Sequence, residues 1–261
     1  MRSRVHLFAL LSIVVVSAAG CVSNNGYKPS EHPTPLPVDP SAGKLLFHDE
    51  FDRASLDVSK WQPNWLGPNN TVTTKPVNGA ELSCYDPSQV RAPGDGYLHL
   101  RAERRTCQDN RGKTYGYASG LVQTNGKFAF KDGYLEARVL LPGSGAIHNW
   151  PAVWTNGTGT WPQTGESDVM EGLNGRACYH YHSPSGAPGQ CAGGSYLGWH
   201  TYAERVKNGV TTYYYDGKQV GSVNSVNAAH YIILNLGVGG YGGAISAPSE
   251  MLVDYVRVYA N

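Results

Sequence analysis

Tyr231-Ile-Ile-Leu-Asn-Leu-Gly-Val238 alternates with a period of two. Ile232, Leu234, Leu236 and Val238 fall on one face, and Tyr231, Ile233, Asn235 and Gly237 on the other. A strand with one wholly apolar face belongs to a sheet that packs against a second layer. The pattern recurs outward from this stretch. Tyr134 to Leu141 sets Leu135, Ala137, Val139 and Leu141 against Tyr134, Glu136 and Arg138. Thr211 to Tyr215, then Asp216-Gly217, then Lys218 to Val223 reads as a hairpin. Further turn dipeptides at Asn78-Gly79, Asp95-Gly96, Asn125-Gly126, Asp132-Gly133, Asn174-Gly175 and Asn208-Gly209 punctuate runs rich in Tyr, Val, Leu and Thr. Short strands so punctuated predict an all-β sandwich in one domain.

Composition agrees with that fold and removes other classes. With 32 Gly and 16 Pro in 261 residues, helices would be interrupted too often for a bundle. Six Trp, 17 Tyr and 5 Phe supply core material that disordered chains lack. A net charge of +1 gives no basic surface for nucleic-acid phosphates, so no nucleic-acid partner is expected.

The chemistry concentrates in Gly165-Glu166-Ser167-Asp168-Val169-Met170-Glu171-Gly172. On a helix Glu166 and Asp168 diverge by about 200°; on a strand they share a face. Glu171 joins them if one extra residue, most simply Met170, bulges out. Carboxyls so crowded cannot all ionise freely, and one pKa rises. A retaining glycosidase uses such a pair, one carboxyl as nucleophile and one as acid/base. Upstream, Trp150-Pro151-Ala152-Val153-Trp154 puts two indoles on one strand face, suited to stacking on sugar rings.

These runs, WPAVW and GESDVMEG, resemble glycoside hydrolase family 16. The likeness extends in order through FHDEFD (47–52), DGYLHLRAE (95–103), YASGLVQT (117–124), GYLEARVLLP (133–142), HTYA (200–203), YYYDGKQV (213–220), YIILNLGVGG (231–240) and VDYVRVY (253–259), and so covers residues 44–261. The resemblance implies a β-jelly roll with a concave substrate cleft. It implies Glu166 as nucleophile, Glu171 as general acid/base and Asp168 as the residue that tunes the pair. The extra residue before Glu171 resembles the β-1,3-glucanase form of the motif. A retaining endo-hydrolase of a laminarin-like β-glucan is therefore expected, with a galactan, mixed-linkage glucan or transglycosylation as alternatives, or a glucan-binding protein without turnover.

The resemblance further places Glu136, Arg138 and Asn235 along the cleft beside Trp150 and Trp154, with His180 hydrogen-bonding there. His180-x-His182 is a weak zinc pattern, because no third ligand stands at a recognisable spacing. Glu50, the Gly96 carbonyl and Asp254 match positions where relatives hold a structural Ca²⁺, for which oxygen donors are suited. No cofactor is expected for catalysis. Two departures stand out. Ser167 occupies a core-facing place usually apolar, which predicts looser packing, and Arg205-Val206 follow HTYA where an acid and a sugar-contacting Trp are usual.

At the N-terminus, Arg2 and Arg4 precede an apolar run from Val5 to Val16 and then Ser17-Ala-Ala-Gly-Cys21. This predicts an export signal over 1–20. Ala-Ala-Gly-Cys resembles the bacterial lipobox, which makes Cys21 the lipidation site and the outer face of the cell membrane the location. A Pro-rich tether spans 21–43, followed by the catalytic domain over 44–261. The four remaining cysteines form an even set, as in exported chains, and pairing of sequence neighbours is expected: Cys84–Cys107 and Cys178–Cys191. A monomer that meets its membrane only through the lipid completes the expectation.

Overall fold

A computed structural model describes residues 43–261. The export signal, Cys21 and the tether up to residue 42 lie outside the described residues. The strands, in order, are β1 (Leu45–Asp49), β2 (Ser83–Tyr85), β3 (Val90–Arg91), β4 (Leu98–Glu103), β5 (Cys107–Gln108), β6 (Thr114–Tyr115), β7 (Tyr117–Ser119), β8 (Leu121–Gln123) and β9 (Gly133–Leu140). They continue as β10 (Trp150–Gly157), β11 (Glu166–Leu173), β12 (Arg176–His182), β13 (Gly189–Cys191), β14 (Trp199–Lys207), β15 (Val210–Tyr215), β16 (Lys218–Asn224), β17 (His230–Gly237) and β18 (Ser249–Tyr259).

Two sheets form the sandwich. One has six strands in the order β13-β12-β11-β10-β17-β8, and the other has ten, along β16-β15-β14-β9-β18-β4-β7-β2 with β1 and β3 attached. The alternating residues explain the layering. From the six-stranded sheet, Val153, Ile232, Leu234 and Leu236 face inward, and from the other Leu135, Ala137, Val139, Val253 and Val256 meet them in one buried core. Each Val, Leu or Ile among them contributes about 1.5–3 kcal/mol by leaving water. The tight hairpins use the expected chemistry. Asn174-Gly175, Asn208-Gly209 and Asp216-Gly217 all have positive φ at both positions, from 47° to 78°, which Asn, Asp and Gly tolerate best.

Both expected disulfides are present, Cys84–Cys107 and Cys178–Cys191. The second ties β12 to β13, where the two cysteines are register partners.

The polar face of β9 is a correction. Glu136 and Arg138 alternate with Leu135, Ala137 and Val139 as expected, but β9 lies in the ten-stranded sheet. Its apolar residues fill the inter-sheet core, so Glu136 and Arg138 point to the far side of the molecule from the six-stranded sheet's outer face. Glu136 accepts hydrogen bonds from Tyr134 and Tyr255 (2.9 and 2.7 Å), and Arg138 pairs with Asp254 at 2.6 Å and covers Trp199. Period-two alternation tells which residues share a face; it does not tell which sheet the strand joins.

The departures after HTYA also lie away from the six-stranded sheet's outer face. Val206 packs against the core and Arg205 lies over the Tyr134 ring on β9, so neither stands where a sugar would bind.

Candidate active site

The outer face of the six-stranded sheet carries a cleft of about 810 Å³, lined among others by Glu166, Glu171, Trp150, Trp154, His180 and His182. The bulge expected in β11 sets its chemistry. Against β10, Asp168 pairs with Trp154, Met170 with Val153 and Glu171 with Ala152, so Val169 is the extra residue rather than Met170. Val169 and Met170 both enter the core. Glu171 is thereby returned to the face of Glu166 and Asp168, as the five-residue spacing required. A carboxylate oxygen of Asp168 lies within 4.8 Å of one on Glu166 and of one on Glu171.

Burial and mutual repulsion dominate the electrostatics. Burial first, then the Asp168 charge, pushes the Glu166 carboxyl above its ordinary range. Asp168 is raised as well, by burial and then by Glu171. The cluster thus retains a proton where isolated carboxyls have lost theirs.

The aromatic and amide residues divide the work differently from expectation. Trp150 and Trp154 line the cleft but are only 8% and 4% exposed, which leaves little ring face for a sugar. They act through their N–H groups. Trp150 Nε1 donates to Glu171 at 2.8 Å, and Trp154 Nε1 donates to Asn235 at 2.7 Å. Asn235 in turn donates to Tyr85, whose hydroxyl donates to Glu81 at 2.5 Å. Glu81 is buried and its carboxyl is pushed up to about 7. The most exposed rings of the lining are Trp161 and Tyr241, 54% and 62% exposed, the first beside His182 and the second against Trp150. Trp65, itself part of the cleft lining, packs against Trp154 (centroids 5.6 Å apart).

Both histidines of β12 reach the carboxyls. His180 Nδ1 is 3.6 Å from Glu171, in the cleft but beyond hydrogen-bond distance. His182 comes closer, 3.1 Å from Asp168 and 3.9 Å from Glu166. Its place follows from the hairpin at Asn174-Gly175. Counting back through the bulge sets Asp168 opposite His180 and Glu166 opposite His182.

Behind β11, Ser167 does not pack loosely. Its hydroxyl lies 2.5 Å from Glu204 Oε2 and 2.9 Å from the Tyr213 hydroxyl. Thr155 bonds the other Glu204 oxygen at 3.2 Å and His230 at 3.0 Å, and Tyr213 donates to the His180 carbonyl. Burial pushes the Glu204 carboxyl up to about 7 and the His230 imidazole down to about 4, so both groups are driven towards neutrality. Ser167 donates to Glu204 and Tyr213 to the His180 carbonyl, so each of these buried hydroxyls has an acceptor.

The residues expected to hold Ca²⁺ do not fit it here. Both Glu50 oxygens bind Arg257 (3.0 and 2.7 Å), and Asp254 binds Arg138. A cation there must displace two guanidinium groups that already balance the charge.

Structural likeness gives this geometry a context. SCLam, a non-specific endo-β-1,3(4)-glucanase from family GH16, superposes with a TM-score of 0.72 at 26% identity, over 84% of this chain and 92% of that one. The sequence model of the β-glucan synthesis-associated proteins SKN1/KRE6/Sbg1 matches residues 27–187. The chain belongs to this family, within glycoside hydrolase family 16. Glucan endo-1,3-beta-glucosidase A1 of Niallia circulans is 32% identical to the family 16 chain over 267 residues, covering 85% of it. The chain spans 39% of that enzyme's length and 53% of the endo-1,3-1,4-beta-glycanase EglC of Rhizobium meliloti. A variant of LamA from Z. galactanivorans, in complex with laminaritriose and laminaritetraose, matches with a TM-score of 0.67 at 26% identity, over 84% of this chain and all of that one.

Proposed function

We propose that this family 16 chain is a retaining endo-glycosidase that cleaves internal β-1,3-glucosidic bonds of a laminarin-like β-glucan. The observation that carries the reading is the bulge at Val169, which aligns Glu166, Asp168 and Glu171 along the floor of an aromatic-lined cleft. A relative named as a glucan endo-1,3-beta-glucosidase, and a structural neighbour that binds laminaritriose and laminaritetraose, support the substrate class.

In the first step Glu171 gives its proton to the leaving oxygen as the C1–O bond breaks, and a Glu166 oxygen bonds to C1. The Glu166 charge is consumed in the ester, so Glu171 no longer feels it and serves as base. In the second step Glu171 takes a proton from water, the water oxygen bonds to C1 and the ester to Glu166 breaks. Two inversions return the original configuration. Asp168, with a carboxyl oxygen within 4.8 Å of one on each glutamate, tunes how the retained proton is shared among the three. No cofactor enters either step. The N-terminal pattern ending at Cys21 supports export and a lipid anchor outside the cell.

Reducing-end release from laminarin, mixed-linkage glucan and agarose, beside a Glu166→Gln control, tests the reading. Release from laminarin that disappears in the control is expected; release from another polymer alone overturns the substrate. The family match to β-glucan synthesis-associated proteins favours one second reading, transfer of the glycosyl unit to another sugar. Products longer than a supplied laminari-oligosaccharide distinguish it.

A further inference from the structure

The sequence offers His180-x-His182 without a third ligand; the fold separates the two histidines and sets His182 beside two carboxylates of the neighbouring strand. Glu166, Asp168 and His182 each present a donor atom, and the three donors lie within 4.8 Å of one another. His182 Nε2 is 3.1 Å from Asp168 Oδ2 and 3.9 Å from Glu166 Oε1. Donors on a tetrahedral Zn²⁺ with bonds of 2.0–2.2 Å stand roughly 3.3 Å apart, so small side-chain rotations close the set. A second observation points to a ligand. Asp168 is 4% exposed, yet its Oδ2 takes part in no hydrogen bond, since His182 approaches it outside hydrogen-bond geometry. A buried carboxylate oxygen without a donor is costly, and a cation satisfies it.

We propose that Glu166, Asp168 and His182 form a binding site for a borderline transition-metal dication of the Zn²⁺ class, which holds the cleft in an inactive state. Imidazole with two carboxylates suits Zn²⁺ and Cu²⁺, whereas an oxygen-only set suits Ca²⁺ and Mg²⁺. His182 is about a third exposed at the cleft, so the ion has an entry path and a fourth position for water. His180 faces Glu171 on the other side of Asp168 and lies outside this set. The metal site stands on these side chains alone. Its inhibitory consequence rests on the hydrolase reading: an ion bound to Glu166 withdraws the oxygen that attacks C1.

Zn²⁺ titration calorimetry and the visible ligand-field bands of Co²⁺ read the site without any turnover. The full chain is expected to bind one equivalent with tetrahedral Co²⁺ bands. His182→Gln should weaken Zn²⁺ binding at least ~10-fold and remove the bands, the lower end of what even outer-shell changes cost. His180→Gln should retain both. Absence of binding, equal binding in His182→Gln, or loss confined to His180→Gln overturns the assignment. A parallel assay of laminarin hydrolysis should show Zn²⁺ inhibition reversed by EDTA. Co²⁺ bands without any hydrolysis in metal-free enzyme leave the site standing and refute the function instead.

Discussion

Glu204→Gln isolates the buried carboxyl behind the catalytic strand. Glu204 is fully buried, and burial raises its carboxyl from 4.5 to about 7 despite the Ser167 and Thr155 hydrogen bonds that favour ionisation. Between these two values the native protein holds a proton that the unfolded chain has released. Stability is therefore greatest below about pH 4.5 and falls as pH rises to about 7, above which both states have lost the proton. The difference of roughly 2.5 pH units corresponds to about 3 kcal/mol at 1.36 kcal/mol per unit. Gln keeps the size and offers an N–H donor where the protonated acid offers O–H, so it removes the titration without emptying the space. Urea unfolding at pH 5 and pH 8 measures the effect. Wild type should lose about 2–3 kcal/mol more than Glu204→Gln across that interval, because part of the shift lies below pH 5. Glu81 and Glu166 shift in the same direction in both proteins and cancel in the comparison, whereas Asp168, which feels the Glu204 charge, is raised somewhat less in the variant. Parallel losses in the two proteins refute the idea that a neutral Glu204 bridges the sheets through Ser167.

Three shorter tests address the cleft and its supports. Trp161→Ala should raise KM for laminari-oligosaccharides with little change in kcat, by the ~1 kcal/mol or so of one lost stacking contact, or about fivefold. Arg138→Lys, on the opposite sheet, should leave both constants unchanged in the same steady-state assay. Replacing Cys178 and Cys191 by Ala opens a loop of 13 residues that carries His180 and His182, and should cost about 3 kcal/mol in chemical denaturation. EDTA should leave the melting temperature of metal-free protein unchanged, because Arg257 and Arg138 occupy the Glu50 and Asp254 carboxylates; a calcium-dependent rise in Tm contradicts that pairing.

Much of the site is local and was readable before the fold. The three carboxyls, the need for a bulge and the shared face of Trp150 and Trp154 are consequences of strand periodicity within a few residues. The Asn-Gly and Asp-Gly hairpins likewise follow from the φ values those residues tolerate. What could not be read depends on which strands become neighbours. Glu136 and Arg138 alternate like cleft residues, but pairing of β9 with β14 and β18 turns them to the other side. Ser167 looked like a packing defect because its partner, Glu204, is 37 residues away on the opposing sheet. Trp161 and Tyr241 lie in loops where no periodicity indicates exposure. His182 was closer to legibility: pairing β12 back across Asn174-Gly175, with the bulge included, puts it opposite Glu166.

The central claim is that Glu166 becomes covalently attached to the sugar while Glu171 handles the proton. Incubation with an activated 2-fluoro laminari-oligosaccharide, followed by peptide mapping by mass spectrometry, tests it most directly. The account predicts one glycosyl adduct per chain, on Glu166, that is absent from Glu166→Gln. An adduct on Glu171 or Asp168, or hydrolysis that inverts the anomeric configuration and leaves no adduct, contradicts it.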